Sequence, residues 1–109
     1  MASRDPARAH LPPSKAERRA ARAAVGAYHA DELAKLIDRV REGIARMDAG
    51  EIDAFELDDL IHHYHRATQK LWRFCAGSGS PVLVARTLGW MRAEGELPDW
   101  WELARPRSG

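Results

Sequence analysis

Residues 48–57, Asp-Ala-Gly-Glu-Ile-Asp-Ala-Phe-Glu-Leu, decide the fold, because they have the features of a turn between two helices. Gly50 can adopt the positive φ that ends a first helix. Asp53 and Glu56 then have the spacing of a capping box, which begins a second helix. The stretch therefore predicts an αα-hairpin.

The apolar patterns on both sides of this turn are helical. Ser14 and Glu17 form another capping box, and few helix breakers separate it from Gly50. Spacings of three and four residues predict an apolar stripe on the first helix, made of Val25, His29, Leu33, Leu36, Ile37, Val40, Ile44 and Met47. The second helix, from about 54 to 75, has a matching stripe of Leu57, Leu60, Ile61, Tyr64, Ala67, Thr68, Leu71, Phe74 and Cys75. Two such stripes joined by a short loop are expected to pack antiparallel.

The C-terminal third predicts further helical structure. Ser80 followed by Pro81 indicates a helix start, and residues 82–91 are apolar on more than one side, so we expect this helix to be covered on both faces. Asp99 and Glu102 cap a short tryptophan-rich turn, which we expect to fold back onto the open end of the hairpin.

The predicted fold class is therefore all-α: a long antiparallel helical hairpin packed by a third helix and a short C-terminal Trp-rich helical turn. The predicted organisation is a disordered tail at 1–13, a single helical domain at 14–104 and a disordered tail at 105–109. The single cysteine excludes an internal disulfide and favours a reducing compartment. With no signal-like or membrane-length apolar segment, a cytoplasmic location without membrane association is expected.

Charge is distributed unevenly along the chain. Residues 31–63 carry ten acidic and four basic residues, whereas residues 1–30 carry six basic and two acidic ones. Arg18, Arg19 and Arg22 lie in this basic arm and are candidates for contacting the phosphates of a nucleic acid. The alternative interpretation is a solvated helix start, since no aromatic residues are interleaved with these arginines.

One cluster of potential metal ligands lies on the second helix. Asp58, His62 and His65 fall within about 60° of one another at helical spacing, so they could hold zinc or another divalent metal. The alternative is the solvated side of an amphipathic helix, and the His-Glu-x-x-His pattern of zinc proteases is absent.

Two further features are candidate sites. The antiparallel register brings His29 towards Cys75, which leaves open a reactive thiol–imidazole pair or, alternatively, a buried inert cysteine. On a short helix, Trp100 and Trp101 point about 100° apart, so one could dock on the core while the other stays partly exposed to bind a partner. Burial of both is the somewhat favoured interpretation.

Taken together, these features favour a small cytoplasmic protein that acts through protein–protein interaction, as an adaptor or regulatory subunit without catalysis or a cofactor. The expected partner is an unknown protein, and a homodimer is possible because two hairpins can form a four-helix bundle. The alternatives are a nucleic-acid accessory protein using the basic arm and a metal-binding protein using the Asp58, His62 and His65 face.

Overall fold

The structure is a computed structural model that describes residues 11–106, and within that range it is all-α. The helices are α1 (Lys15–Asp48), α2 (Ala54–Ala76), α3 (Pro81–Glu94) and α4 (Trp100–Leu103). Each begins at a residue whose side chain accepts a hydrogen bond from the first turn, namely Ser14, Asp53, Ser80 and Asp99. The predicted all-α class and the predicted helix starts are confirmed.

The hairpin turn forms as the sequence predicts. Gly50 has a φ of +77°, and the Glu51 amide donates to the Arg46 carbonyl over 2.9 Å, which closes the end of α1. The Asp53 carboxylate accepts from the Glu56 amide over 2.8 Å, and the Glu56 side chain accepts in return from the Asp53 amide. The turn therefore fixes the antiparallel register of α1 and α2 through local hydrogen bonds.

Close packing near the turn depends on Gly43. A Cβ atom added there would lie 3.0 Å from side-chain carbons of Leu57 and Leu60, so the absence of a side chain lets α2 approach α1. Gly26, which also lies beside the apolar stripe of α1, has no such contact within 4 Å.

Helix α1 is longer than its hairpin partner. With 34 and 23 residues, the two helices are about 51 and 34 Å long, so α1 continues beyond the end of α2. Helix α3 packs against α1 and brings Val84 and Leu88 into the same buried cluster as Val25. The expectation that α3 is covered on both faces is wrong within this chain, because Leu83 and Trp90 remain exposed on one side.

The C-terminal segment folds back onto the hairpin, as expected, and completes the core. Trp100 and Trp101 are each only 7% exposed, so the favoured interpretation, in which both are buried, is confirmed, and the alternative that leaves one exposed to bind a partner is wrong. The Trp100 indole Nε1 donates a hydrogen bond to the Tyr28 hydroxyl over 2.9 Å, and the Trp100 ring lies 5.4 Å from the Phe74 ring, measured between centroids. This short helix is held by tertiary contacts because four residues are too few to be stable alone.

The remaining predictions on organisation concern the ends of the chain. Residues 1–10 and 107–109 of the predicted tails lie outside the described residues. Leu11–Ser14 form no helix, and Arg105 makes an ion pair with Glu102. Within residues 11–106, no helix combines the length and apolar character that crossing a membrane requires.

Candidate interaction surface

The hairpin has two sides, and the C-terminal segment covers one of them. The His63 imidazole stacks on the Trp101 ring at a centroid distance of 3.7 Å, and the Arg39 guanidinium lies 5.1 Å from the same ring. Arg66 Nε donates to the Ala104 carbonyl over 3.3 Å. Residues from both α1 and α2 therefore anchor this covering segment.

On the opposite side of the hairpin, His29 contacts Trp72. Their rings meet edge to face, with centroids 5.8 Å apart. At about 100° per residue, the side chains that share this side follow from the helical register. They are His29, Leu33, Ile37, Val40 and Ile44 of α1 and Ile61, His65, Thr68 and Trp72 of α2, and we call this set the open face.

The open face is mostly apolar and accessible to solvent. Trp72 is 61% exposed, and Ile44 and Ile61, at the other end of the face, are 43% and 42% exposed. Ile37 and Val40 are half-buried between these ends. From His29 to Ile44 the face extends about 22 Å along α1. An apolar surface on neighbouring helices that includes an exposed tryptophan is typical of a site of protein interaction.

Of the three predicted metal ligands, the structure pairs Asp58 with His62. His62 Nδ1 lies 2.8 Å from the Asp58 carbonyl oxygen and 3.6 Å from its carboxylate, so these two residues are neighbours. His65 lies on the open face, one turn further along. Across residues 11–106, no three His, Cys, Asp or Glu side chains are grouped to hold a metal ion.

His63, next to this cluster, has a structural role instead. Its Nε2 lies 2.8 Å from the Trp101 carbonyl oxygen, and because a carbonyl only accepts, this nitrogen carries the proton. His63 therefore binds the C-terminal segment through both stacking and a hydrogen bond.

Cys75 has the properties of a core residue. It is buried, and burial, followed by the negative charge of Glu32, raises the pKa of its thiol to about 11. A reactive cysteine needs the opposite shift, because the thiolate is the nucleophile. The His29 ring packs on Trp72, so the structure gives no support to a reactive thiol–imidazole pair.

The basic arm lies on the part of α1 that extends beyond α2. Arg18, Arg19 and Arg22 are all exposed, and Arg18 donates from Nη1 to the Pro13 carbonyl over 2.7 Å. Arg22 has about the same angular position around α1 as Leu33 and Val40, so it lies in line with the open face. The arm is therefore available for contact with an acidic surface or with phosphates.

Two important residues lie outside the predicted apolar stripes. Tyr28 is buried and accepts the hydrogen bond from Trp100. Trp72 is the large exposed side chain of the open face. Its position beside Thr68 and Ile61 at helical spacing was the available signal.

Comparison of the chain with protein-family models, curated proteins and solved structures finds no match.

Proposed function

We propose that this protein acts by binding another protein chain through the open face, as an adaptor or regulatory subunit without chemistry of its own. The observation that carries the proposal is the set of exposed and half-buried apolar residues between Trp72 and Ile44, on one side of two neighbouring helices. An isolated exposed apolar residue is ordinary on a protein surface, but a continuous set on two neighbouring helices provides an area that a partner can bury.

Several features of the open face suit protein recognition. Tryptophan often supplies a large share of the binding free energy at interfaces, and Trp72 is already oriented by its contact with His29. The half-buried aliphatic residues around it lose little side-chain entropy on binding because packing already restrains them. The surface lies on two helices joined by a capped turn, so it is organised before binding.

Site-specific photocrosslinking in host cells tests this proposal. A photoreactive phenylalanine analogue replaces Trp72 in one variant and Leu103 in the control variant. Leu103 is 56% exposed and lies on the C-terminal segment that covers the opposite side of the hairpin. We expect covalent protein adducts from position 72 and none from position 103. Equal adduct formation at both positions, or none at position 72, contradicts the proposal.

A further inference from the structure

We propose that the partner bound by the open face is a second copy of this chain, related by a two-fold axis that crosses the face at the level of Ile37 and His65 and runs the two hairpins antiparallel. The product is a four-helix arrangement whose centre is formed by two open faces. This inference rests on the proposed function and specifies its partner.

The register of the hairpin defines the position of the axis. His29 contacts Trp72 at one end of the open face, and Gly43 adjoins Leu60 near the turn. The midpoint between these contacts lies close to Ile37 on α1 and His65 on α2. The two-fold axis lies in the interface at this level, perpendicular to the helices. A rotation of 180° about it places α1 against α1 and α2 against α2 of the second copy, with each pair running antiparallel. The His29 end of one copy then meets the Ile44 end of the other.

The distribution of charge along α2 favours the antiparallel orientation. The first half of the helix carries acidic residues and the second half carries basic ones, in the order Glu56, Asp58, Asp59, Arg66, Lys70 and Arg73. Asp58 is seven residues before His65 and Arg73 is eight residues after it. The antiparallel arrangement therefore places Asp58 of one copy beside Arg73 of the second copy, at the edge of the interface.

Charge on α1 agrees with the same orientation. The basic arm extends beyond the end of α2, and the rotation places Arg22 at the level of the second copy's hairpin turn. That turn carries Asp48, Glu51 and Asp53. A parallel arrangement brings the two acidic turns together instead, and like charges across an interface oppose association. The charge pattern thus selects one of the two face-to-face orientations.

The size of the surface suits a weak, reversible dimer. The open face is about 22 Å long and the helix pair is about 20 Å wide, which gives on the order of 440 Å² of projected area for each copy. Standard interfaces bury about 800 Å² of accessible surface from each partner, and weaker, transient ones bury less.

Sedimentation velocity of the purified full chain, over concentrations up to about 0.5 mM, measures the association. We expect a reversible dimer. Ile44→Glu places a charge in the interface and should raise the dimer Kd at least about tenfold, because a buried unpaired charge is costly. The matched control Leu103→Glu adds the same charge on the C-terminal segment that covers the opposite side of the hairpin, where Leu103 is 56% exposed, and should leave the dimer Kd within about twofold.

Charge exchange tests the orientation. Asp58→Arg and Arg73→Asp should each weaken the dimer by a few fold, and the double variant should restore it, because each copy again presents opposite charges to the other. Raising the salt concentration should weaken the wild-type dimer. Circular dichroism of every variant checks that the helices are retained. Failure of the double variant to recover, or a dimer that strengthens with salt, overturns the antiparallel arrangement.

The result also separates this inference from the proposed function. If the chain stays monomeric while the photoreactive group at position 72 captures a different protein, the self-association is wrong and the interaction proposal stands. If position 72 captures only a second copy of the chain, both are supported. A monomer that captures nothing at position 72 overturns both.

Discussion

The buried hydrogen bond between Trp100 and Tyr28 links residues 72 positions apart, and its removal is the most direct test of how the C-terminal segment is held. Tyr28→Phe deletes the acceptor and preserves the ring that packs edge to face on Phe74 at a centroid distance of 6.0 Å. The Trp100 indole N–H is then buried without a partner, because the Trp100 side chain is enclosed by the core.

The cost follows from this loss of pairing. A buried donor without an acceptor costs about 1–3 kcal/mol. A loss of about 2 kcal/mol, near the middle of that range, should lower the Tm by roughly 10 °C, since 1 kcal/mol corresponds to about 4–8 °C for a domain of 60–100 residues.

Urea unfolding followed by far-ultraviolet circular dichroism measures the loss in the free energy of unfolding. Tyr64→Phe is the matched control, because Tyr64 is half-buried on the same hairpin and its hydroxyl makes no hydrogen bond within residues 11–106. We expect the control to change the free energy of unfolding by less than about 0.5 kcal/mol. Equal losses in the two variants would refute the assigned role of the Tyr28 hydroxyl.

Three other perturbations test the packing. Leu71→Ala, at a fully buried position, should lower the free energy of unfolding by about 2–5 kcal/mol in urea titrations, and a loss below 1 kcal/mol would contradict its central place in the core. Gly26→Ala should raise the Tm through about 0.5–1 kcal/mol of helix propensity, whereas Gly43→Ala should show no such gain because its Cβ would meet two leucine side chains at 3.0 Å. Burial raises the pKa of Cys75 from its ordinary 9.0 to about 11, so the unfolded chain releases this proton first and stability should fall by about 2 kcal/mol as pH rises from 9 to 11. The free energy of unfolding of Cys75→Ala, measured over the same pH series, should fall less steeply, and identical slopes would count against the raised pKa.

The hairpin was predictable because its signals are local. Gly50, Asp53 and Glu56 specify the turn within ten residues, and the structure shows the predicted hydrogen bonds. The apolar periodicity of α2 likewise identified Leu57, Ala67, Leu71 and Cys75 as buried. Such features depend on neighbouring residues, which a single sequence contains.

The tertiary contacts were less predictable, because they depend on where distant segments meet. Tyr28 lies at the edge of the apolar stripe of α1, and its burial results from Trp100 reaching it across the fold. The same packing of the C-terminal segment on the hairpin buries both Trp100 and Trp101, whereas helical spacing alone leaves open whether one of them stays exposed. Trp72 remains exposed because no segment within residues 11–106 covers that side of the hairpin.

The brevity of α4 has a kinetic consequence. With only four residues, it has no stability of its own, so its protection depends on the ring contacts of Trp100 and Trp101. Such a segment is a natural unit for local opening, in which a small part of the molecule detaches while α1 and α2 stay folded. Amide hydrogens of residues 100–104 should then exchange with solvent sooner than those around Leu71, and each opening would briefly uncover the aromatic side chains beneath.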